Sequence, residues 1–258
     1  MLSRKLKFSL SMLGCFWLGC QQQVNPEVVE GIRVGDRNYR QGNWIGADEA
    51  LTAAIRAEPY SPATAEAYYI RGLTRLKRGD MRAAETDFTS AAKLADREDL
   101  KANAQVCLGS IAYERESFAQ AYNYYRSAVS NLPRVSPNDW VLYKLGISAQ
   151  KVGEWDAAKR YLGRLIREYP GGETAQRARE RLDWDYFTIQ AGAFTNRDNA
   201  LSRVEQLRRA SLPAYREVRE NGGKPVQVVY VGRYKDFKSA AESLDKVKRV
   251  VSDAQIIP

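Results

Sequence analysis

The 258-residue sequence contains no histidine, although it carries 40 lysines and arginines and 31 aspartates and glutamates. Without histidine the chain can form neither a serine–histidine–aspartate triad nor a histidine-ligated metal site, and it lacks an imidazole general base. The acidic residues are numerous, but no pair of them stands at a recognisable catalytic spacing. The composition therefore indicates a protein that binds and does not catalyse, with no metal and no cofactor.

Long apolar runs are also missing, and the mean hydropathy of -0.51 argues against a membrane protein with several spans. The apolar stretch 8–19 is twelve residues long, whereas a spanning helix needs roughly 20. Three positive side chains precede it: Arg4, Lys5 and Lys7. This pattern is typical of a secretory signal peptide, so we predict export and removal of residues 1–19. The net charge of +9 is compatible with an anionic polymer or membrane surface as a partner.

Cysteines are few, and two of the three lie in or just after this apolar stretch. Cys20 follows Trp17-Leu18-Gly19, which resembles the lipobox of bacterial lipoproteins, where a small residue precedes the acylated cysteine. The resemblance implies a lipid on Cys20, with Cys15 as the alternative, and a linker over residues 20–27. Gln21 then implies the outer membrane, on its periplasmic side. The competing interpretation is an ordinary secretory signal with incidental cysteines.

Cys107 is the remaining thiol once Cys20 is acylated, so the exported chain has no cysteine pair for a disulfide. It stands inside a helical pattern. We therefore interpret Cys107 as a small core residue.

A period of 37 residues runs through the middle of the chain. The residues that keep this step are Gly35, Gly72, Gly109 and Gly146, then Ala47, Ala84, Ala121 and Ala158, and then Pro59, Pro133 and Pro170, with Asp96 in the place between the first two prolines. An aromatic or methionine and a large apolar residue recur between them, and this order resembles tetratricopeptide repeats. The resemblance implies a right-handed solenoid of four antiparallel helix pairs over residues 28–182, closed by a polar capping helix from 172 to 182.

Small residues let paired helices approach, and a large side chain fills the gap beside each small one. Stacked pairs form a concave groove that, in this family, usually holds proteins or peptides. The groove residues implied for an unidentified envelope protein are Tyr69, Leu73, Leu76, Tyr113, Tyr143 and Ile147. The alternative is that this row packs partly against adjoining helices.

From residue 184 the periodicity changes to strands and helices in the order βαββαβ. The predicted strands are 186–194, 214–218, 226–232 and 254–257, the helices are 196–209 and 236–249, and 221–223 is a hairpin turn. The segment IQAGAFTNRDNA repeats 40 residues later as VYVGRYKDFKSA. We therefore predict an α-solenoid followed by a small ferredoxin-like α+β domain with both helices on one face of the sheet.

These two motifs are similar to SPOR domains, which recognise peptidoglycan glycan strands stripped of their stem peptides. The resemblance covers residues 184–258 and implies that the open face of the sheet holds the glycan, with Gln190 as the recurrent contact. Strand alternation adds neighbours on that face. The full candidate set is Tyr186, Thr188, Gln190, Ala193, Val226, Val228 and Tyr230. An amide beside tyrosine suits the hydroxyls and C–H faces of a sugar.

Two positions depart from the family pattern, since Ala193 replaces a common serine and Val228 replaces a frequent arginine. A lost hydrogen bond to a buried ligand group costs ~1–3 kcal/mol. The alternative function is therefore a tetratricopeptide scaffold of the envelope whose SPOR-like domain binds glycan weakly or not at all.

Nucleic acid is not an expected partner, although RNA-recognition domains share the βαββαβ order. Their third strand carries a basic-glycine-aromatic run, which VQVVYVG lacks. A wall amidase or transglycosylase would need a further catalytic domain. The sequence predicts a lipid-anchored tether that binds denuded glycan and a protein partner in cell-wall or division processes, enriched at division septa.

Overall fold

The computed structural model describes residues 25–132 and 138–258. The predicted signal peptide and both candidate acylation sites, Cys15 and Cys20, lie outside the described residues. The described chain is a row of helices followed by a four-stranded sheet with two helices. Within these ranges, no helix combines the length and the apolar character needed to cross a membrane.

The helical part consists of four consecutive antiparallel pairs and one further helix. The helices are α1 Pro26–Arg40, α2 Trp44–Ala57, α3 Ala65–Lys77, α4 Met81–Leu94, α5 Glu98–Glu114, α6 Phe118–Ala128, α7 Asp139–Lys151, α8 Trp155–Glu168 and α9 Glu173–Arg181. A short 3-10 helix, Pro62–Thr64, precedes α3. Asparagine or aspartate side chains cap α1, α2 and α4 by accepting hydrogen bonds from the first-turn amides. The predicted fold class is confirmed.

The glycines that repeat every 37 residues mark the closest approach of each pair. A Cβ on Gly72 would lie 2.7 Å from the Phe88 ring, and one on Gly109 would lie 2.9 Å from the Tyr125 ring. The first and fourth pairs place a leucine at the same position: Leu51 beside Gly35, and Leu162 beside Gly146. All four large side chains are completely buried. Glycine at the crossing therefore sets the distance between paired helices.

Helix α9 covers the last repeat. Its Ala175 and Ala178 are fully buried, and Ala178 packs with Leu162 and Leu165 of α8. The other residues of α9 are charged or polar. This amphipathic helix shields the apolar end of the solenoid from solvent, as repeat arrays require.

The C-terminal part has the order βαββαβ, as predicted. Its elements are β1 Phe187–Phe194, α10 Arg197–Arg209, β2 Ala214–Asn221, β3 Lys224–Tyr234, α11 Phe237–Lys248 and β4 Gln255–Ile257. The sheet is antiparallel with strand order β2-β3-β1-β4. Both helices pack on one face, where Ile189, Val229 and Val231 form the core with Leu207 and Val247.

Bulges interrupt the pairing of the two central strands in symmetry-related places. The register between β1 and β3 shifts between Phe187 and Ile189, and again between Gln190 and Ala193. Gly192 has φ +138° and Gly232 has φ +67°, and the next ring along each strand folds back onto its glycine. A bulge moves later side chains to the opposite face, so simple alternation fails beyond it.

The sheet domain docks on the last two repeats through an aromatic cluster. The Phe237 ring lies 5.4 Å from Phe118 of the solenoid and 5.8 Å from Phe187, and Phe187 lies 5.2 Å from Trp155. The indole N–H of Trp155 donates a hydrogen bond to the Lys235 carbonyl oxygen at 2.7 Å. This hydrogen bond joins residues 80 positions apart, and together with the ring contacts it fixes the sheet against the solenoid.

Lys151 and Gly153 complete this junction. The Lys151 Nζ lies 3.0 Å from the centre of the Phe237 ring, and burial lowers the pKa of this amine to about 8. The amine is still mostly protonated at neutral pH, so it makes a cation–π contact. Gly153 has φ +78°, and a Cβ there would lie 3.0 Å from the Lys235 carbonyl oxygen. Glycine allows the two backbones to approach at this point.

Candidate functional site

The open face is the side of the sheet away from α10 and α11. Gln190 lies near its centre, with Tyr230 of β3 opposite on one side and Gln255 of β4 on the other. Its side chain is half-buried. The predicted contact therefore occupies a central strand on the predicted face, although its role as a ligand contact stays a prediction.

Three other candidates lie on this face but are covered by neighbouring side chains. Thr188 is 4 % exposed, and its hydroxyl donates to the Gly232 carbonyl oxygen at 2.7 Å. Val228 and Tyr230 are 7 % and 6 % exposed. These three residues therefore lie on the predicted face but are nearly buried there, with Tyr215 and Arg219 of β2 packed against the Tyr230 ring.

The remaining candidates are more accessible. Tyr186 and Val226 are half-buried, and Ala193 is exposed. The bulge at Gly192 places Ala193 opposite Val228, so both positions that depart from the family pattern meet at one point of the face. The hydroxyl and the guanidinium that the family often has are both missing there.

Arginine and tyrosine side chains cover the face beside this point. The Arg233 guanidinium lies 4.7 Å from the Tyr186 ring centre and 5.6 Å from that of Tyr215. Tyr215 packs on Tyr230 with 5.6 Å between ring centres, and the Arg219 guanidinium lies 6.0 Å from the Tyr230 ring. The open face therefore carries three tyrosines and two guanidinium groups.

Glu217 holds the two arginines together, 2.8 Å from Arg219 and 3.7 Å from Arg233. Hydrogen bonding to Tyr230 raises the pKa of Arg219, and hydrogen bonding to Tyr215 does the same for Arg233. Burial raises the pKa of Tyr186, so its hydroxyl stays protonated and can donate. The face thus offers solvent-accessible cationic donors beside aromatic rings.

Sequence reasoning missed Tyr215, Glu217, Arg219 and Arg233. Alternation from the core residue Ala214 places Tyr215 and Glu217 on this face within the predicted strand, and Arg219 follows once the strand is continued beyond Val218. Alternation could not place Arg233 on this face, because the bulge at Gly232 exchanges the faces of the residues that follow it.

The predicted groove residues divide into two groups. Tyr69, Leu73 and Leu76 on α3 are half-buried, and Tyr113 on α5 lies between Phe118 and Lys144. A pocket of about 240 Å³ lies between α1, α3 and α5, and Tyr69 and Leu73 contribute to its wall. The N-terminal half of the groove is therefore open.

The C-terminal half of the groove is closed. Ile147 on α7 is 4 % exposed, so the expectation that it lines an accessible groove is wrong. Tyr143 is half-buried and packs with the cluster of α8 and α9. The Gln150 amide donates a hydrogen bond to the Arg181 carbonyl oxygen at 3.0 Å, which ties the end of α9 to α7. The end of α9 therefore lies against this half.

Cys107 lies behind the open half of the groove. It packs with Phe88 and Leu108, and burial raises the pKa of its thiol to about 12. The thiol is thus protonated and unreactive at neutral pH, which agrees with its interpretation as a core residue. In the described ranges, no group of three or more potential metal ligands is present.

Family comparisons agree with these two architectures. Residues 184–258 match the SPOR domain family, and residues 35–99 and 140–172 match tetratricopeptide repeat families. Tetratricopeptide repeats and SPOR domains are non-catalytic binding domains. No curated protein sequence gives a significant match to the chain.

Solved structures share the helical fold at low identity. The structure titled "Functional Characterization of Pseudomonas Aeruginosa pilF" is 19% identical, with a TM-score of 0.52, and the match covers 62% of this chain and 68% of that one. A tetratricopeptide repeat protein from Parabacteroides merdae is 18% identical, with a TM-score of 0.52 and coverage of 70% and 64%. YrrB, titled a TPR protein with an unusual peptide-binding site, is 18% identical, with a TM-score of 0.51 and coverage of 70% and 85%. These likenesses support the fold alone.

Proposed function

We propose that this chain, which belongs to the proteins carrying tetratricopeptide repeats and a C-terminal SPOR domain, is a non-catalytic cell-envelope tether. Its open sheet face binds denuded glycan strands of peptidoglycan, and its repeats bind a protein partner. The observation that carries the glycan part is the set of three tyrosines and two arginines placed beside Gln190.

The chemistry of this face suits a glycan without stem peptides. Tyrosine rings pack on the C–H faces of sugars, and the Gln190 amide can both donate to and accept from hydroxyls. Removal of a stem peptide converts an amide into a free carboxylate, which guanidinium groups bind through paired hydrogen bonds. Arg219 and Arg233 therefore supply the cationic donors that Val228 cannot.

The anchoring part of the proposal rests on the sequence. Cys20 would carry the lipid and hold the N-terminus at a membrane. The proposed membrane is the outer membrane, on its periplasmic side. The solenoid would then hold the sheet face away from the membrane, toward denuded glycan at division septa. Mass spectrometry of the mature N-terminus tests this, because an acylated cysteine at position 20 is expected, and an unmodified one would contradict anchoring.

The glycan prediction concerns Arg233 and Gln190. Arg233→Gln is expected to weaken binding to denuded glycan by about tenfold or more, since a hydrogen bond to a charged group contributes ~1.5–3 kcal/mol. Gln190→Ala is expected to weaken binding by a smaller factor, because its hydrogen bonds are neutral. Sedimentation of the full chain with amidase-treated sacculi measures both effects.

The matched control is Arg209→Gln, which removes an exposed guanidinium from the helix side of the same domain. It should bind like the unaltered chain. If Arg233→Gln and Arg209→Gln retained equal affinity, the open face would not be the glycan site.

The alternative function is an envelope scaffold whose SPOR domain binds glycan weakly or not at all. The burial of Thr188, Val228 and Tyr230 and the missing hydroxyl at Ala193 favour it. The same sedimentation assay separates the two, because a scaffold would show no retention of the unaltered chain on denuded sacculi.

A further inference from the structure

The open half of the repeat groove has a wall of apolar and aromatic side chains. The pocket between α1, α3 and α5 includes Tyr39, Tyr69 and Leu73. A second cleft of about 710 Å³ adjoins it, formed by the loop that joins α2 to α3 together with Leu100. The two share lining residues, so they form one continuous depression, which we call the open groove.

Carboxylates dominate the charge of the open groove. The acidic residues that line it are Asp36, Glu58, Glu66, Asp96 and Asp99. Among the described lining residues, Arg97 is the single cation. This local excess of negative charge is notable in a chain whose formal net charge is +9. Like charges held around one apolar groove attract a cationic ligand.

Arg97 occupies the position where such a ligand would place a cation. Its guanidinium lies 2.7 Å from the Asp99 carboxylate and 3.7 Å from that of Glu66. More than half of the Arg97 side chain is exposed, so these contacts are surface ion pairs, which contribute little to stability and exchange readily. A cation from a partner can therefore replace them.

The size of the open groove sets the length of the occupant. Packed helices lie about 10 Å apart, so α1, α3 and α5, the first helices of three successive pairs, together span about 20 Å. An extended chain covers about 3.3 Å per residue, which corresponds to about six residues. Tyr39 and Tyr69 offer ring surfaces to apolar or cationic side chains between these helices.

We propose that the open groove binds an extended segment of about six residues in which lysine or arginine alternates with apolar side chains. This rests on the proposed protein-binding role of the repeats and adds the chemistry of the partner. It does not depend on glycan binding by the sheet domain.

Fluorescence anisotropy with labelled hexapeptides tests this on the full chain. The probe is Lys-Leu-Lys-Ala-Lys-Leu, with counterparts that carry glutamine or glutamate at the three lysine positions. The lysine peptide is expected to bind at least tenfold more tightly than the glutamine peptide, and the glutamate peptide is expected not to bind. Affinity should fall as the salt is raised from about 50 to about 200 mM. The charges are exposed, and the Debye length is about 10 Å at about 0.1 M salt, so added salt screens their attraction.

Substitutions in the open groove make the test specific. The double variant Asp36→Asn with Glu66→Gln should weaken the lysine peptide about tenfold or more, whereas Glu49→Gln, an exposed acid on α2, should leave it unchanged. Arg97→Gln should strengthen the lysine peptide severalfold, because it removes an internal competitor. The charge-conserving Arg97→Lys should restore the original affinity.

Three results would overturn the inference. Equal binding of all three peptides would show that charge does not select the occupant. Tighter binding of the glutamate peptide, lost in Arg97→Gln, would make the partner acidic. Failure of every peptide to bind, with normal sedimentation on denuded glycan, would reject the groove while leaving the glycan part of the proposed function intact.

Discussion

Replacement of Asp87 by alanine is expected to lower the free energy of unfolding of the solenoid by about 3–5 kcal/mol. Asp87 on α4 is completely buried. Its carboxylate accepts hydrogen bonds from Arg71 at 2.7 and 3.0 Å and forms an ion pair with Arg75 at 2.9 Å. Alanine would leave two guanidinium groups without their shared partner in a largely dry site, and this accounts for the size of the loss.

The network around Asp87 joins the first two repeats. Arg71 also donates to the Thr52 hydroxyl at 3.0 Å, and Arg75 donates to the Asp48 carboxylate at 3.1 Å. Burial raises the pKa of Asp87, while Arg71 and Arg75 act in the opposite direction. The carboxylate therefore depends on both arginines to remain ionised, and the three helices α2, α3 and α4 are fixed together through it.

Chemical denaturation monitored by circular dichroism measures this effect. Glu85→Ala is the matched control, because Glu85 lies on the same helix and pairs with Arg115 at the surface. The control should change stability by no more than about 1 kcal/mol. A loss below that value for Asp87→Ala would mean that the buried network contributes no more than a surface pair.

Replacement of Tyr125 by alanine is expected to lower the free energy of unfolding by about 3–5 kcal/mol. Tyr125 on α6 is completely buried, and its ring fills the space that Gly109 leaves on α5. It also meets Trp140 of the next repeat with 6.3 Å between ring centres. Alanine would leave a cavity at the centre of the third repeat and weaken its packing on the fourth.

Tyr125→Phe provides the control for the ring itself. The Tyr125 hydroxyl donates to the Ser110 hydroxyl at 3.2 Å, and burial raises its pKa to about 12. Phenylalanine removes this hydrogen bond and keeps the ring, so the expected loss is about 1 kcal/mol. Thermal unfolding of both variants measures the difference. Equal losses for alanine and phenylalanine would contradict a packing role for the ring.

The repeat architecture could be predicted because each feature recurs. A glycine at the helix crossing and a large residue 16 positions later appear in all four pairs, so the period alone indicates the fold. The Asp87 network could not be predicted, because Arg71 and Arg75 have no counterparts at this step elsewhere. From the sequence alone, these charged residues are interpreted as solvent-exposed helix faces. The structure shows instead that the Asp87 carboxylate is buried.

On the open face, too, the sequence alone placed some residues correctly and could not place others. Alternation placed Gln190 and Val226 on the correct side of the sheet, because no bulge separates them from the core residues used as reference. It could not place Arg233, which lies beyond the bulge at Gly232. It also could not reveal that Thr188 is covered, since that depends on side chains from another strand.

The sequence by itself determined the four helix pairs, the βαββαβ order and the absence of histidine chemistry, because these depend on local period and composition. Only the tertiary structure decided which half of the groove is open and which side chains form the sheet face. The physical reason is that both depend on contacts between distant segments. Gln150 meets Arg181, Trp155 meets Lys235, and Arg233 reaches Tyr186 only after the chain has folded.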